Sequence, residues 1–394
     1  MLDLRQLPTD PDFVQNPYPF YADARRVGPL QYWQDYGMMA AFSYATVSML
    51  FKDKRLGREV PAEMAEAPKP HTKPFYDIEA HSMLELEAPR HTRLRGLVMR
   101  AFTTRRIVTL DKDIEELSHQ LIDSFPDEPF DLLPAFATKI PVIIIARMLG
   151  VPESMADQLL KWSNDMVAMY QASRTHETEV QAAKSSQEFA EFMRGYVEEK
   201  RVSPGDDLLT ELIAAEEDGE KLSTDEMIST CILLLNAGHE ATVHTIGNSV
   251  KTVLEHGLNA DWFAPEQIDK TIEELIRLDP PLHMFSRYAY KDVEVGKFTL
   301  KRGDQVALML GAANRDPDAW ENPDQFNPYR PIKTNMAFGA GRHFCVGAPL
   351  ARLELRIALP ILFERCPNLK FSAPPRYANT YHFHGLERLM VQTW

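Results

Sequence analysis

The sequence predicts a mainly α-helical protein with a small β region, in which one long central helix crosses the molecule. Three observations lead to this prediction. Most periodic segments carry apolar residues at helical spacing, strand-like alternation is confined to two stretches, and one segment between clear start and stop signals is long enough to span the fold. We expect a single domain over residues 1–394, with the β-rich part mainly at about 28–60 and 288–310.

Four shorter segments have the apolar spacing of amphipathic helices: Pro17 to Arg26, His91 to Ala101, Leu110 to Ser124 and Ile140 to Leu149. Strand-like runs extend over Leu30 to Ala41 and Tyr288 to Leu310. The segment Pro61 to Pro74 contains four prolines, which predicts a long, mobile loop of the kind that often covers a site.

The long helix is predicted from about Thr224 to His256. Ser223 and Glu226 form a capping-box pattern at its start, and Gly257 follows its end. At about 50 Å, it would exceed the ~42 Å diameter expected for a chain of this length, so its middle should be buried. That middle contains Ala237 and Gly238 among polar residues. It is either a helix with a hydrated face or a surface against which a flat group lies.

Charge and cysteine content exclude several classes of protein. Lys plus Arg is 43 and Asp plus Glu is 57, so the net charge is −14, which opposes binding to nucleic acid or anionic lipid. No apolar stretch is long enough for a membrane helix, and the first residues do not resemble a signal peptide. The three cysteines form no Cys-x-x-Cys pair, which argues against a disulfide framework. We expect a cytoplasmic protein.

One of these cysteines, Cys345, has an unusual setting. Gly339 and Gly341 precede it and permit a tight turn with positive φ, and neither presents a side chain that would obstruct a planar group. An amphipathic helix with Leu350, Leu353, Ile357 and Leu362 follows, so Cys345 should lie just before a helix N-terminus, where an anionic sulfur is favoured. An inert buried thiol is the alternative.

The stretch Phe338 to Gly347 resembles the cysteine-ligand loop of the cytochrome P-450 family, Phe-Gly-x-Gly-x-His-x-Cys-x-Gly, at every fixed position. The resemblance extends over most of the chain, from about Pro17 to Val391. It implies that Cys345 is the axial thiolate of a noncovalent haem b, that Phe338 packs near the sulfur, and that His343 lies near a propionate. A thiolate ligand donates electron density to iron and favours O–O cleavage.

Further family features occur in order along the chain. Glu274 and Arg277 match the Glu-x-x-Arg of the family, whose buried pair is usually joined by a later arginine, and Arg330 is our candidate for it. The resemblance also implies that His91, Arg95 and Arg287 bind the haem propionates. Two buried propionates need cationic donors of this kind.

The middle of the long helix resembles the family's oxygen-binding groove, with Ala237 and Gly238 against the haem and Glu240 as the acid of an acid–alcohol pair. The expected threonine is replaced by Ala241, and the hydroxyl of Thr242 should point elsewhere because a helix turns ~100° per residue. Three explanations are open. A substrate hydroxyl or trapped water supplies the missing hydrogen bond, peroxide replaces O2, or the oxidation is unusual; we favour the first.

Regional resemblance suggests several segments that contact substrate: Phe75 to Met83, Met166 to Tyr170, Leu233 and Leu234 with Ala237, Leu282 to Met284 (including His283), and Asn379 to His384 (including Phe383). Their His and Asn residues suit a polar or hydroxylated substrate. His382 and His384 have the spacing of metal ligands, but with no acidic or sulfur partner nearby in the sequence we do not predict a metal site there.

The resemblance therefore implies a haem-thiolate monooxygenase that inserts one atom of O2 into a C–H bond of a small organic substrate, by hydroxylation or oxidative O-dealkylation. Because the chain ends at Trp394, we expect electrons to come from NAD(P)H through an external ferredoxin and ferredoxin reductase, which would dock on the cysteine-loop face near Arg342. Neither nucleic acid nor membrane is an expected partner. The alternatives are a peroxide-driven haem-thiolate oxidase and a non-catalytic haem sensor or carrier.

Overall fold

The computed structural model describes residues 3–217 and 222–394; residues 1, 2 and 218–221 of the predicted domain lie outside the described residues. The described helices are α1 Pro11–Gln15, α2 Tyr18–Val27, α3 Tyr44–Lys52, α4 Lys73–Glu79, α5 Arg90–Ala101, α6 Thr104–Val108, α7 Asp111–Asp123, α8 Lys139–Leu149, α9 Ala156–Val167, α10 His176–Val202, α11 Leu208–Glu217, α12 Thr224–His256, α13 Ile268–Leu278, α14 Leu310–Ala313 and α15 Ala348–Arg365.

The described strands are short, and they are β1 Asp3–Leu4, β2 Gln31–Trp33, β3 Met38–Ala41, β4 Leu56–Gly57, β5 Phe130–Asp131, β6 Met284–Ala289, β7 Val293–Val295, β8 Phe298–Leu300, β9 Gln305–Met309, β10 Lys370–Phe371, β11 Arg376–Tyr377, β12 Leu386–Arg388 and β13 Met390–Gln392. Among the described residues, the largest sheet has six strands in the order β1-β2-β3-β9-β6-β4. The mainly α fold with a small β region is confirmed.

The predicted helices α2, α5, α7 and α8 end within two residues of their expected limits, and α15 begins three residues after Cys345. Apolar spacing locates these helices well because each buries one face: α2 in a cluster rich in aromatic residues, and the others in the helical core. Helices α9, α10 and α11 were not singled out from the sequence. The apolar pattern of α10 and α11 is weaker than in α2, α5, α7 and α8, whereas that of α9 is as clear and was missed. Packing of α10 on α9 and α12 stabilises this layer.

Helix α12 has the limits predicted from the sequence. The backbone N–H of Ser223 donates to Oε2 of Glu226 at 2.9 Å, and the N–H of Glu226 donates to Oγ of Ser223 at 3.2 Å. Both bonds satisfy amides that a helix start leaves without partners. At its other end Gly257 has a positive φ of 75°, which ends the helix. Most of its length is buried, so it runs through the core.

The β region positions one predicted site residue. Strand β6 pairs antiparallel with β9 in a register that sets Arg287 opposite Val306, and the neighbouring apolar residues form a second hydrophobic core. The loop predicted at Pro61 to Pro74 contains only two 3-10 turns, at 62–64 and 70–72, before α4 starts at Lys73. No helix of the described chain is long and apolar enough to cross a membrane.

Candidate active site

Cys345 lies in the tight turn expected from the sequence. Gly339 and Gly341 have φ values of 66° and 72°, and a Cβ on Gly341 would collide with the carbonyl oxygen of Phe51. The backbone N–H of Cys345 donates to the Phe338 carbonyl at 3.1 Å, which closes the loop. The requirement for glycine at both positions therefore comes from the backbone turn and, at 341, from close packing on α3.

The Cys345 sulfur faces the start of α15. The pKa of this thiol is raised, because burial outweighs the backbone N–H groups of Gly347 and Ala348 and the guanidiniums of Arg95 and Arg352, which act to lower it. These groups stabilise an anionic sulfur, as expected at a helix N-terminus. The loop thus combines a shielded thiol with the donors that a thiolate ligand needs.

Aromatic and cationic groups flank the loop. The Arg352 guanidinium lies 4.5 Å from the centre of the Phe338 ring and also pairs with Glu273. Arg95 of α5 donates to the Phe344 carbonyl at 2.8 Å, so this predicted haem-binding residue reaches the cysteine loop. Phe344 itself is exposed.

His343 has a different partner from the one expected. Its Nε2 donates to Oε1 of Glu87 at 2.8 Å, and Nη1 of Arg342 donates to Oε2 of the same carboxylate at 2.6 Å. Burial raises the pKa of Glu87, but these bonds and the backbone N–H of Arg58 lower it to about 2. His343 thus binds a protein carboxylate, and its ring packs 4.3 Å from that of His91. Burial lowers the pKa of His91 to about 4.

Arg287 is a buried cation with no carboxylate partner in the part of the chain that the structure describes. Only 4% of its surface is exposed, and its Nη1 donates to the carbonyl of Ser286 at 2.8 Å, but it forms no ion pair with any carboxylate in the described chain. Burial, with a smaller contribution from Arg58, lowers its pKa to about 9. A buried guanidinium is costly without an anion. Arg287 therefore fits the propionate of a haem, which would supply that anion.

Helix α12 carries a less buried stripe within the core. Leu233, Ala237, Glu240 and Ala241 keep exposed surface, and Ala237 keeps the most, whereas the opposite face is buried. The other three positions lie three or four residues from Ala237, so they share its face of the helix. This accessible stripe corresponds to the oxygen-binding groove that the resemblance implies, where a planar group and a substrate could lie.

Gly238 faces α8, whereas the sequence placed it against the haem. A Cβ built on Gly238 would lie 3.3 Å from the Ile145 side chain, so its direction is toward α8 and not into the groove. The glycine is explained by close packing of two helices. The absence of a side chain at Gly238 is therefore no evidence for a flat group, whereas Ala237 does face open space.

Glu240 lies between two histidines. Its Oε1 accepts a hydrogen bond from Nε2 of His244 at 3.3 Å, and its Oε2 lies 3.5 Å from Nε2 of His239. Burial raises the pKa of Glu240, but His244 and, to a smaller extent, His239 lower it. The hydroxyl of Thr242 donates to the Gly238 carbonyl at 3.3 Å and is turned away from the groove.

The predicted substrate residues divide into two groups. Leu233, Leu282 and Phe383 keep exposed surface, and Leu282 pairs with Phe383 in an isolated β-bridge. In contrast, three of the candidates are buried among protein side chains and are not free to contact substrate: Leu234, His283 and Met284. His283 and Met284 fail because residues 283 and 284 turn into the aromatic core beside Tyr21.

His384 has an acidic neighbour that the sequence did not reveal. Asp279 lies 3.5 Å from its Nε2, and His283 lies beside it, so the three residues bring together atoms able to hold a metal ion. Folding brings in the acidic partner from a distant part of the sequence. Tyr18 and Tyr21 already hydrogen-bond to Asp279 and His283, respectively, and the cluster forms a buried hydrogen-bond network.

The Glu-x-x-Arg prediction is confirmed by the geometry. Nε and Nη2 of Arg277 donate to the two oxygens of Glu274 at 2.7 and 2.8 Å, and Nε of Arg330 lies 3.1 Å from Oε2. Arg330 is therefore the third member, as expected. The group lies at the end of α13 and ties it to the segment before the cysteine loop.

The pair of Tyr170 and Glu79 was not predicted, although both residues lie in segments that the sequence suggested for substrate contact. The Tyr170 hydroxyl donates to Oε2 of Glu79 at 2.8 Å and joins the end of α4 to the turn after α9. Burial and the charge of Glu85 raise the pKa of Glu79 to about 7. The presence of a glutamate within the predicted substrate segment Phe75 to Met83 was the available signal.

Comparison with known proteins agrees with this geometry. A family model described as Cytochrome P-450 matches residues 266–376. The chain is 34% identical to the polyketide biosynthesis cytochrome P-450 PksS of Bacillus subtilis (strain 168), over 98% of this chain and 97% of that protein. It is 32% identical to the biotin biosynthesis cytochrome P-450 of the same organism, over 96% and 97%.

Solved structures are similar over the whole fold. The crystal structure of P-450 BioI in complex with hexadec-9Z-enoic acid ligated acyl carrier protein matches with a TM-score of 0.90 and 31% identity, over 97% of this chain and 100% of that one. The crystal structure of CalO2 matches with a TM-score of 0.90 and 27% identity, over 99% of each chain.

Proposed function

The chain belongs to the cytochrome P-450 family, and on that premise we propose that it is a haem-thiolate monooxygenase with Cys345 as the axial ligand of haem b. It inserts one atom of O2 into a C–H bond of a small organic substrate. The observation that carries this proposal is the Cys345 sulfur, which receives two backbone N–H groups at the start of α15. This arrangement stabilises the anionic form that binds iron.

The residues of the loop and the sheet would hold the haem. Gly339 and Gly341 would fix the turn that presents the sulfur, and Arg287 would bind one propionate. His91 and Arg95, one turn apart on α5, would bind the other. His343 would act indirectly by holding Glu87 and packing on His91. When bound, haem supplies the activation of O2 and the oxidation of the C–H bond, which the thiolate promotes.

The spectrum of the reduced carbon monoxide complex tests the ligand. Wild-type protein and a Cys366→Ala control should both give the Soret band of thiolate ligation. Cys345→Ala should not give it, because the iron loses its sulfur. A colourless wild-type protein supplied with porphyrin and iron, or an unchanged band in Cys345→Ala, would overturn the proposal.

Proton delivery in the groove must differ from the usual acid–alcohol pair. Ala241 has no hydroxyl, and that of Thr242 is committed to the Gly238 carbonyl. We propose that a substrate hydroxyl or a trapped water supplies the missing hydrogen bond, with Glu240 as the acid. Ala241→Thr would then leave the yield of product per NAD(P)H unchanged or lower. A large gain in that yield would contradict the idea.

Electrons are proposed to arrive from NAD(P)H through a ferredoxin and its reductase, which dock near Arg342. Arg342→Glu should slow reduction by ferredoxin while substrate binding, measured by the Soret shift, is kept. Because Arg342 also pairs with Glu87, Glu87→Gln is the matched control: it breaks the same ion pair without removing a surface cation. Equal slowing in both variants would assign the effect to the pair and not to docking.

The relatives are named for polyketide and biotin biosynthesis, and a hydroxylated polyketide or acyl chain would carry the hydroxyl that the groove lacks. Hydroxylation and O-dealkylation both begin at C–H and remain equal in this proposal. Screening such compounds for a Soret shift identifies the substrate class.

Ala241 also favours one rival function, a peroxide-driven oxidase. Turnover with hydrogen peroxide as fast as with ferredoxin would establish that rival.

A further inference from the structure

Two histidines contact Glu240, and each suits a different protonation state of its carboxyl group. A carboxyl group that carries protons must be stable both with and without its proton. Glu240 has a different neighbour for each form: His244 at one oxygen and His239 at the other. The roles of the two imidazoles follow from their other contacts.

His239 presents an acceptor. Its Nδ1 donates to the Leu235 carbonyl at 2.8 Å, so in the neutral ring Nε2 carries a lone pair. That Nε2 is buried and has no hydrogen-bond partner within the described chain, although Oε2 of Glu240 lies 3.5 Å away. A protonated Glu240 would satisfy it by donating its O–H.

His244 presents a donor. Its Nε2 donates to Oε1 of Glu240, and it lies one turn further along the same face of α12. The ring is fixed from outside the helix, because a Cβ on Gly385 would overlap it. His384, before β12, is the titratable group that faces His244 from another element. Only glycine at 385 leaves room for the ring in this position.

We propose that His244 is a positioning residue, held by Gly385, that stabilises the Glu240 carboxylate beside the groove, while His239 accepts from the protonated form. The pair replaces the support that an alcohol at 241 would give to the acid. This inference rests on the proposed function. The lowering of the Glu240 pKa by His244 agrees with it.

The proton balance is simple. Glu240 gives its proton to a water or a substrate hydroxyl in the groove and becomes a carboxylate, which accepts the N–H of His244. A proton from bulk water then restores the acid, whose O–H turns to Nε2 of His239. Neither histidine is consumed, and each keeps its own protons throughout.

Infrared difference spectra of the holoenzyme test the proposal without turnover. A protonated carboxyl absorbs apart from a carboxylate, and the band that Glu240→Gln removes belongs to this residue. In His244→Leu, the band of the protonated carboxyl should disappear only at a higher pH, where the proton concentration is about tenfold lower. The reason is that the carboxylate has lost its hydrogen-bond donor. His244→Gln, which still donates an N–H, should restore part of the shift.

Two further variants sharpen the test. Gly385→Ala should reproduce the shift of His244→Leu, because a methyl group displaces the ring. His239→Leu should raise the C=O stretching frequency of the protonated Glu240, because its O–H loses its acceptor. His256→Gln, near the end of the same helix, is the control and should change nothing.

An unchanged Glu240 titration in His244→Leu would overturn the inference, provided that the carbon monoxide spectrum is intact and the fold therefore kept. That result would leave the monooxygenase proposal standing. Loss of the thiolate spectrum in the wild-type protein would overturn the proposed function instead. The two failures are therefore distinguishable.

Discussion

Replacing Glu274 with glutamine should be among the most destabilising single substitutions in the chain. Glu274 and Arg277 have side chains only 1% exposed, and both carboxylate oxygens are used. Oε1 also accepts the backbone N–H of Asn327 at 3.0 Å, and Arg330 bonds to both oxygens. Glu274→Gln removes the only negative charge of this group and leaves two guanidiniums without a counter-charge.

The magnitude follows from burial. Breaking a buried ion pair by removing one partner costs about 3–5 kcal/mol, because the other charge stays buried. Arg277 keeps its bonds to the carbonyls of Asn314 and Pro323, so we expect the lower half of that range. The adjacent Glu273 is the matched control. Its partner Arg352 is 37% exposed, so Glu273→Gln should cost no more than about 1 kcal/mol.

Equilibrium unfolding in urea measures the difference. Circular dichroism and tryptophan fluorescence should give coincident transitions, since otherwise a two-state free energy of unfolding is not defined. The reasoning would be refuted if Glu274→Gln and Glu273→Gln were destabilised to within about 1 kcal/mol of each other.

Three other substitutions test separate parts of the structure. Gly341→Ala should lower the free energy of unfolding by at least ~1 kcal/mol, because φ is positive and the added Cβ would clash with Phe51. Gly96→Ala, in the open middle of α5, should raise it by ~0.5–1 kcal/mol. Urea unfolding that ranks the two variants the other way would refute this. Burial raises the pKa of Glu354 well above its ordinary value, so the folded state holds its proton and stability falls as pH rises through that pKa. Glu354→Gln should therefore raise the melting temperature at pH 8 more than at pH 5, and an equal change at both would contradict the assignment. Arg287→Gln should speed haem transfer to apomyoglobin about tenfold, the effect of losing one charge-assisted bond, and an unchanged rate would exclude Arg287 as a propionate ligand.

The sequence predicted the features that depend on residues close together in the chain. The limits of α12 depend on Ser223, Glu226 and Gly257, which act on their own helix ends, and these were predicted. The positive φ values at Gly339 and Gly341 likewise reflect a turn within a few residues. The cysteine loop was identified because its whole pattern lies in one short stretch.

Contacts between segments that are far apart in the sequence could not be predicted from it. The packing of Gly238 on Ile145, the pairing of His343 with Glu87, and the contact of His384 with Asp279 each join parts of the chain that the sequence keeps apart. In each case the sequence supplied a residue type with a plausible role, and folding supplied a different neighbour.

By itself, the sequence determined the helical fold, the family, and the cysteine that we propose as the iron ligand, because periodicity, caps and a contiguous motif act over a few residues. Only the tertiary structure decided which buried charges find a partner. Within the described residues, Arg287 has no carboxylate partner, and Glu240 lies between His239 and His244. Burial and electrostatics depend on everything that surrounds a group, and the order of residues in the chain does not record those surroundings.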